Sequence, residues 1–296
     1  MRVGFAPSLL AALCSLASLL PGCATQPGHD TRPDGAKRGT VVDSPEARAT
    51  AAALDQILAS PHRSAENRAR DTALRPKETL LFFGVRPQMS VVEVWPGAGS
   101  CTEVLAPLLR DQGLLRVALM DAGAGDYARK VTDDFRSKLA GRPDIFGNVQ
   151  LTTLAAPPAA RPIAPDESAD LVVTSFNLHT WMMFGWQREA VAAMYAALKP
   201  GGVLGVVEHR GNPALPQDPK AASGYVNQDY AIELITSAGF QLVAQSEINA
   251  NPRDSKNYEK GVWALPPDFA DAAFDRSRYS AIGESDRFTL KFRKPR

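Results

Sequence analysis

The chain predicts an α/β fold, a mostly parallel sheet covered by helices on both faces. Three observations carry that expectation. Short apolar, β-branched runs alternate with helical stretches from Ser90 onward. The early runs are apolar throughout instead of alternating, as in strands buried on both faces. The first run opens onto Trp95-Pro96-Gly97-Ala98-Gly99-Ser100 and then an apolar helix, which places a glycine loop at the first strand-to-helix turn. The chain has 296 residues, 45% of them hydrophobic and 22% charged, the composition of a globular core that needs neither metal nor disulfide.

The first residues stand apart from that core. Arg2 precedes an apolar run from Val3 to Leu20, followed by Pro21-Gly22-Cys23. A basic start, an apolar segment and small residues at a cleavage point mark residues 1–22 as a secretory signal peptide. Cys23 then resembles a bacterial lipoprotein processing site, so it is the candidate lipid attachment to a membrane. Pro7 and the interspersed serines argue against an uncleaved membrane helix. Residues 23–43, rich in Pro, Gly, Thr and charge, read as a flexible tether, and 44–296 as the folded domain. This predicts an exported protein on the periplasmic side of a bacterial membrane. Removing 1–22 takes only Arg2 from the 33 basic residues, leaving 32 against 32 acidic ones. A neutral chain has no electrostatic attraction for nucleic acid, which is excluded as a partner.

Within the domain, Ser44-Pro45-Glu46 starts a helix running to about Ser60, and a second, Lys77 to Phe83, ends at Gly84. Strands are expected at Ser90–Trp95, Leu114–Met120, Val149–Leu154, Ala169–Ser175 and Val203–His209. Helices are expected at Thr102–Arg110, Tyr127–Ala140 and Trp186–Ala197. Asn227 caps a helix stopped by Gly239. Gln241–Ile248 and Phe288–Arg293 alternate more clearly and suit an antiparallel closing strand.

The glycine loop is the motif with chemical content. Glycines let backbone approach a ligand closely, and the helix beginning near Thr102 favours a negative group. A dinucleotide fingerprint would place glycine at position 102, where Thr102 stands. Glu93 before the loop would repel a pyrophosphate and accept an ammonium. Asp121, at the end of the second strand, can accept both hydroxyls of a ribose, with Asp126 near enough to compete. Cys101 has no internal disulfide partner and reads as packing, although a helix N-terminus would lower its pKa. Neither Cys-x-x-Cys nor His-x-x-x-His spacing occurs, so no metal site is expected.

Glu93 through Gly99, Asp121 and the turn Leu198-Lys199-Pro200-Gly201-Gly202 resemble class I S-adenosylmethionine (SAM) dependent methyltransferases, over about Lys77 to the C-terminus. More narrowly, Thr79–Pro107, Asn177–Trp181, Ser246–Pro267 and Gly283–Phe292 look like a group of exported bacterial proteins assigned to that class. The resemblance implies a Rossmann-like seven-stranded sheet in order 3-2-1-4-5-7-6 with strand 7 antiparallel. It also implies SAM as cofactor, held by Glu93, Trp95, Gly97, Gly99 and Asp121. The general family has glycine where Trp95 stands. Its indole folds away from the pocket, stacks beside it or blocks it, and blockage would remove the methyl-donor assignment.

The methyl acceptor is expected at the tip of the fourth strand, Thr174 to Trp181. If the strand continues, Asn177 and His179 fall on one side, His179 as base or substrate anchor and Asn177 orienting; a local capping role for His179 is the competing reading. Trp181, Met182, Met183, Phe184 and Trp186 read as core packing or a lid. Glu208-His209-Arg210 is a second polar group at the same sheet edge, and Arg253, in a turn-rich segment, is a candidate for holding an acidic group. The function expected is methyl transfer to a small molecule or envelope component, the alternative being a non-catalytic exported binding protein that keeps the fold.

Overall fold

Apolar period sets the strands and the longer helices of this architecture. The computed structural model describes residues 44–270 and 272–296. The expected signal peptide, the tether and the lipid attachment at Cys23 lie outside those residues. In chain order the helices and strands are α1 Pro45–Ala59, α2 Ala65–Ala69, α3 Asp71–Leu74, α4 Pro76–Phe83, β1 Ser90–Val94, α5 Thr102–Leu109 and β2 Leu114–Met120. There follow α6 Asp126–Ala140, α7 Pro143–Phe146, β3 Gln150–Leu154, β4 Ala169–Ser175, α8 Leu178–Phe184 and α9 Gln187–Ala197. The last are β5 Leu198–His209, α10 Gln228–Ser237, β6 Gln241–Ser246, α11 Ala272–Ile282 and β7 Arg287–Arg293.

The seven strands form one sheet in the order β3-β2-β1-β4-β5-β7-β6. The pairs β1–β2, β1–β4, β2–β3 and β4–β5 are parallel, and β7 runs antiparallel to both β5 and β6. Strand order reverses between β1 and β4, and in sheets of this kind the ligand crevice opens at that point.

Side chains alternate across the sheet. Val92, Val94, Val172 and Leu204 join the core beneath α8, α9 and α10, whereas Val91, Val117, Leu171 and Val173 join the core beneath α1, α4, α5 and α6. Glu93 shares Val91's face and is therefore carried under α5. Among the described residues no helix is long and apolar enough to cross a membrane.

Three departures from the sequence reading matter for the site. Helices α2 and α3, of five and four residues, were not anticipated, because an amphipathic period cannot be recognised over so short a span. Strand β1 stops at Val94, since Trp95 turns into the left-handed region at φ +48°. Strand β4 stops at Ser175, and Phe176 at φ +62° leads directly into α8. The expectation that Asn177 and His179 share one side of a continuing strand is thereby corrected: Asn177 precedes α8, and His179 is its second residue.

Helix α4 lies on the sheet through a glycine contact. A Cβ on Gly205 of β5 would stand 2.5 Å from the Phe83 ring. Gly205→Ala is expected to cost about 1–3 kcal/mol by overpacking, read as a lower urea midpoint at unchanged slope. Unaltered stability would mean that α4 is free to move off the sheet.

Candidate active site

A cavity of about 850 Å3 opens at the carboxyl ends of the central strands, and Glu93, Trp95, Gly97, Asp121, Asn177 and His179 all contribute to its wall. A volume in the upper range of small-molecule sites accommodates a ligand of substantial size. Gly97, at φ +56°, has open space where a Cβ would stand, so the backbone there is bare toward the cavity. Gly99 serves a different purpose. It is absent from the wall, and a Cβ on it would lie 3.1 Å from the Phe135 ring of α6, so its missing side chain lets the loop pack on that helix.

Trp95 occupies the position that decides whether a ligand can enter. Its indole Nε1 donates to the Leu154 carbonyl at the end of β3, at 3.2 Å. The ring meets Trp181 and Trp186 edge-on, with centroids 5.7 and 5.5 Å away. The indole thus forms one wall of the cavity and packs on the Trp181–Trp186 cluster beneath α8. The aromatic run after β4 is core in this respect: Trp181 and Met182 are each 1% exposed. Phe184 stays exposed on the cavity wall.

Asn177 holds this turn in place. Its Nδ2 donates to the Val94 carbonyl at 3.0 Å, the Trp95 carbonyl at 3.3 Å and Thr174 Oγ1 at 3.1 Å. It is a clamp between the tips of β1 and β4.

Glu93 is 3% exposed and accepts from Thr102 Oγ1 at 2.6 Å. Burial pushes its pKa up to about 7, against the opposing pull of the Thr102 hydrogen bond and the Lys138 charge. Beside it the Cys101 thiol is pushed up by burial and by the Glu93 charge, so it stays protonated, contrary to the lowering expected of a helix N-terminus. The first turn of α5 already carries its own anion, Glu103, which is paired with Lys138 at 2.5 Å and also lies 3.7 Å from Arg63. Lys138 also donates to the Ala98 carbonyl at 2.7 Å, which ties the glycine loop to α6. These ties span long sequence separations, and no local pattern announces them.

Asp121 follows β2. Its Oδ1 accepts from Gly123 N at 3.1 Å, and among the described residues Oδ2 has no partner. The competing Asp126 is highly exposed and paired with Arg129.

At the other end of the cavity wall, His179 is 7% exposed and its Nδ1 lies 3.0 Å from Glu208 Oε1. Glu208 is fully buried and also accepts from the backbone amides of His179 and His209. Burial alone would depress the His179 pKa, but the charge and hydrogen bond of Glu208 override it and hold the pKa above its ordinary value. His209 is half-buried by exposure yet closely enclosed. It contacts Ser285 Oγ through Nδ1 at 2.6 Å and stacks on Phe176. Enclosure and the neighbouring His179, Arg287 and Arg70 charges push its pKa well down. The ligating atoms of His179, Glu208 and His209 lie within 4.8 Å of one another. Such a grouping can hold a metal ion, and the linear spacing of the histidines did not reveal it.

Arg253 is exposed and absent from the cavity wall. The segment around it is structural: Asn249 donates to Thr79 and Thr289, and Asp254 accepts from Tyr225 and from the Asp286 amide.

No model of a known protein family matches the chain. It is similar to the ubiquinone/menaquinone biosynthesis C-methyltransferases UbiE of Marinomonas sp. and Pseudoalteromonas translucida. Identities are 28% over 213 residues and 26% over 206, covering 70% of this chain and 74% of each relative. Among solved structures it resembles a SAM-dependent methyltransferase from Aquifex aeolicus, with a TM-score of 0.50 at 14% identity over 82% of this chain and 98% of that one. It also resembles the [4+2]-cyclase SpnF, with a TM-score of 0.52 at 15% identity over 88% and 98%. The fold is one shared with solved SAM-dependent methyltransferases, and both curated relatives are named as C-methyltransferases.

Trp95→Gly relieves a left-handed backbone strain of about 1 kcal/mol but removes an indole that packs on two other tryptophans. Loss of packing outweighs relief, so the variant is expected to be less stable by about 2 kcal/mol in chemical denaturation. A more stable variant would show that the indole is not seated in the core.

Proposed function

We propose that the protein binds SAM against Glu93, Gly97 and Asp121, and transfers its methyl group to a small molecule or envelope component held beside His179. The observation that carries this reading is the open cavity over a buried carboxylate, with the indole of Trp95 turned into the wall. The residues suit the group. Glu93 offers an anion to the ammonium of the methionine moiety, Gly97 permits close approach of a ligand, and Asp121 has a free carboxylate oxygen for ribose hydroxyls. SAM supplies an electrophilic methyl on a sulfonium; the protein's part is positioning and exclusion of water. The names of the two curated relatives support carbon as an acceptor atom to be tested first. The binding-protein alternative draws on SpnF, named as a cyclase on a similar fold, because a fold does not define a reaction. Heat of SAM binding without transfer to any envelope extract would favour it.

Glu93 gives a pH test. Its folded pKa, about 7, lies above the ordinary carboxylate value, so the free protein favours the protonated acid and gives up that stability as pH rises toward 7. Pairing with an ammonium requires the ionised form. Calorimetry with S-adenosylhomocysteine is expected to show constant affinity above about pH 7.5 and a fall approaching about tenfold per pH unit below about pH 6.5. Glu93→Gln should bind more weakly, with a flat profile. A flat wild-type profile, or no heat at all, would contradict this use of Glu93.

We also propose that the domain acts on the periplasmic side of a bacterial membrane, tethered through Cys23. The support is the signal-like segment 1–22 and the cysteine after it. Cys23→Ala is expected to move the protein from the membrane to the soluble fraction. Unchanged fractionation would argue against a lipid anchor.

A further inference from the structure

We propose that His179, Glu208 and His209 form a binding site for a divalent transition-metal ion beside the cavity. The proposal goes beyond methyl transfer and does not depend on it.

The donor set selects the ion. Two imidazoles and one carboxylate meet there, with a ligating atom of each within 4.8 Å of the other two. Imidazole nitrogen suits zinc, copper, iron or nickel, whereas calcium and magnesium favour oxygen donors. Two histidines and one carboxylate are also the protein ligands of open zinc and iron sites, which keep further positions for water or a bound compound. Donors about 2.1 Å from one ion and at right angles stand about 3.0 Å apart. His179 Nδ1 lies 3.0 Å from Glu208 Oε1. Without an ion that contact holds a proton, and the ion takes the proton's place. The ring of His209 stands 5.4 Å from that of His179, centroid to centroid, and a small rotation of its side chain completes the set.

The surroundings supply an outer shell. A ligating carboxylate is held by hydrogen bonds of its own, and a ligating histidine has its other nitrogen fixed. Glu208 is fully buried and accepts from the His209 amide at 2.8 Å and the His179 amide at 3.3 Å. His209 Nδ1 lies 2.6 Å from Ser285 Oγ, which leaves Nε2 for the ion. Phe176 stacks on His209 at 4.9 Å, and Trp263 meets His179 edge-on at 6.1 Å, an apolar rim of the kind that controls solvent access to a metal.

The charges nearby are compatible with a cation. Glu208 contributes a wholly buried carboxylate, which is costly unless paired. Arg70 and Arg287 both pair with Glu284. Arg287 also lies over the Phe176 ring at 4.8 Å. Because His209 covers one face of that ring, the guanidinium takes the other, and the ring stands between them. His179 lines the cavity, with Glu208 and His209 behind it. An ion held by the three is reached past His179, so water or an oxygen donor of a compound in the cavity completes its shell.

The test uses the full chain, stripped of metal by a chelator and free of SAM. Titrated with Zn2+ against a chromophoric chelator, it is expected to take up a single ion with micromolar affinity. His179→Gln and His209→Gln should each weaken binding more than about a hundredfold, beyond the effect of an outer-shell change, and Ser285→Ala about tenfold. His62→Gln should leave binding unchanged, since that ring is bonded to the Glu103 carbonyl instead. Co2+ should give the visible bands of nitrogen and oxygen ligation without a near-ultraviolet thiolate band. Should a variant fail to fold, 15N-histidine spectra of the wild type decide: Zn2+ should move the ring signals of His179 and His209 and leave those of His62 in place. No uptake below millimolar Zn2+, uptake untouched by both histidine variants, unmoved His179 and His209 signals, or thiolate ligation of the ion would each overturn the proposal. Every outcome is read without SAM, so failure here is distinct from failure of the methyl-transfer reading.

Discussion

The site depends on how the chain leaves β1. A tryptophan at φ +48° is a conformation that bulky side chains resist, and it persists only where the surroundings over-determine it. Here three elements do so. Trp95 N donates to the Ala118 carbonyl at 2.8 Å, continuing the ladder with β2. Asn177 Nδ2 captures the carbonyls on either side of the turn. The indole is pinned between Leu154 and the Trp181–Trp186 pair. With the side chain drawn into the wall, the following Pro96–Gly97 backbone is left facing open space. A strained residue thereby keeps the cavity clear.

The second constraint is electrostatic. Three acids, Glu93, Glu103 and Glu208, are almost wholly buried within reach of this cavity, and an isolated buried carboxylate is costly. Glu103 is compensated by Lys138, Arg63 and the Ser64 amide, and Glu208 by two amides and an imidazole. Glu93 is held by Thr102, through both its hydroxyl and its backbone amide, with the Lys138 charge beyond, and burial still dominates its pKa. Of the three, Glu103 still has an oxygen, Oε2, without a hydrogen-bond partner among the described residues, and Glu93 is the one that lines the cavity. A buried carboxylate with a raised pKa on a cavity wall is a candidate for ligand binding.

Much of the sheet was legible in the sequence because its signals are local. The apolar runs mark β1 to β5, the alternation in Gln241–Ser246 and Arg287–Arg293 suits the antiparallel end, and glycines mark the turns at positions 84, 97 and 239. The strand order came from resemblance, since no periodicity specifies which strand lies beside which. What was missed has a common cause. Helices α2 and α3 are too short to show a period, and the left-handed residues Trp95 and Phe176 carry side chains that conceal the turn. The Lys138–Glu103, Asn177–Val94 and His179–Glu208 contacts join residues far apart in the chain. Asn177 and His179 were singled out on the assumption of a continuing strand, which the structure does not have. The assumed strand is a helix start, and the two side chains do separate work.

This difference between local and long-range signals divides the cavity itself. The half bounded by Glu93, Gly97 and Asp121 is built from strand ends and the turns that follow them, so a common backbone produces it and a short motif reports it. The half around His179 is assembled from α4, the α8 start, the far end of β5 and the segment carrying Trp263, elements that meet only in the folded chain. The fold shared with proteins of 14–15% identity accounts for the backbone of the first half and says nothing of the second. The cavity wall mixes apolar side chains such as Leu80, Phe83 and Trp263 with the charged Arg63, Arg70 and Asp71, and the imidazole of His179 stands on the carboxylate of Glu208.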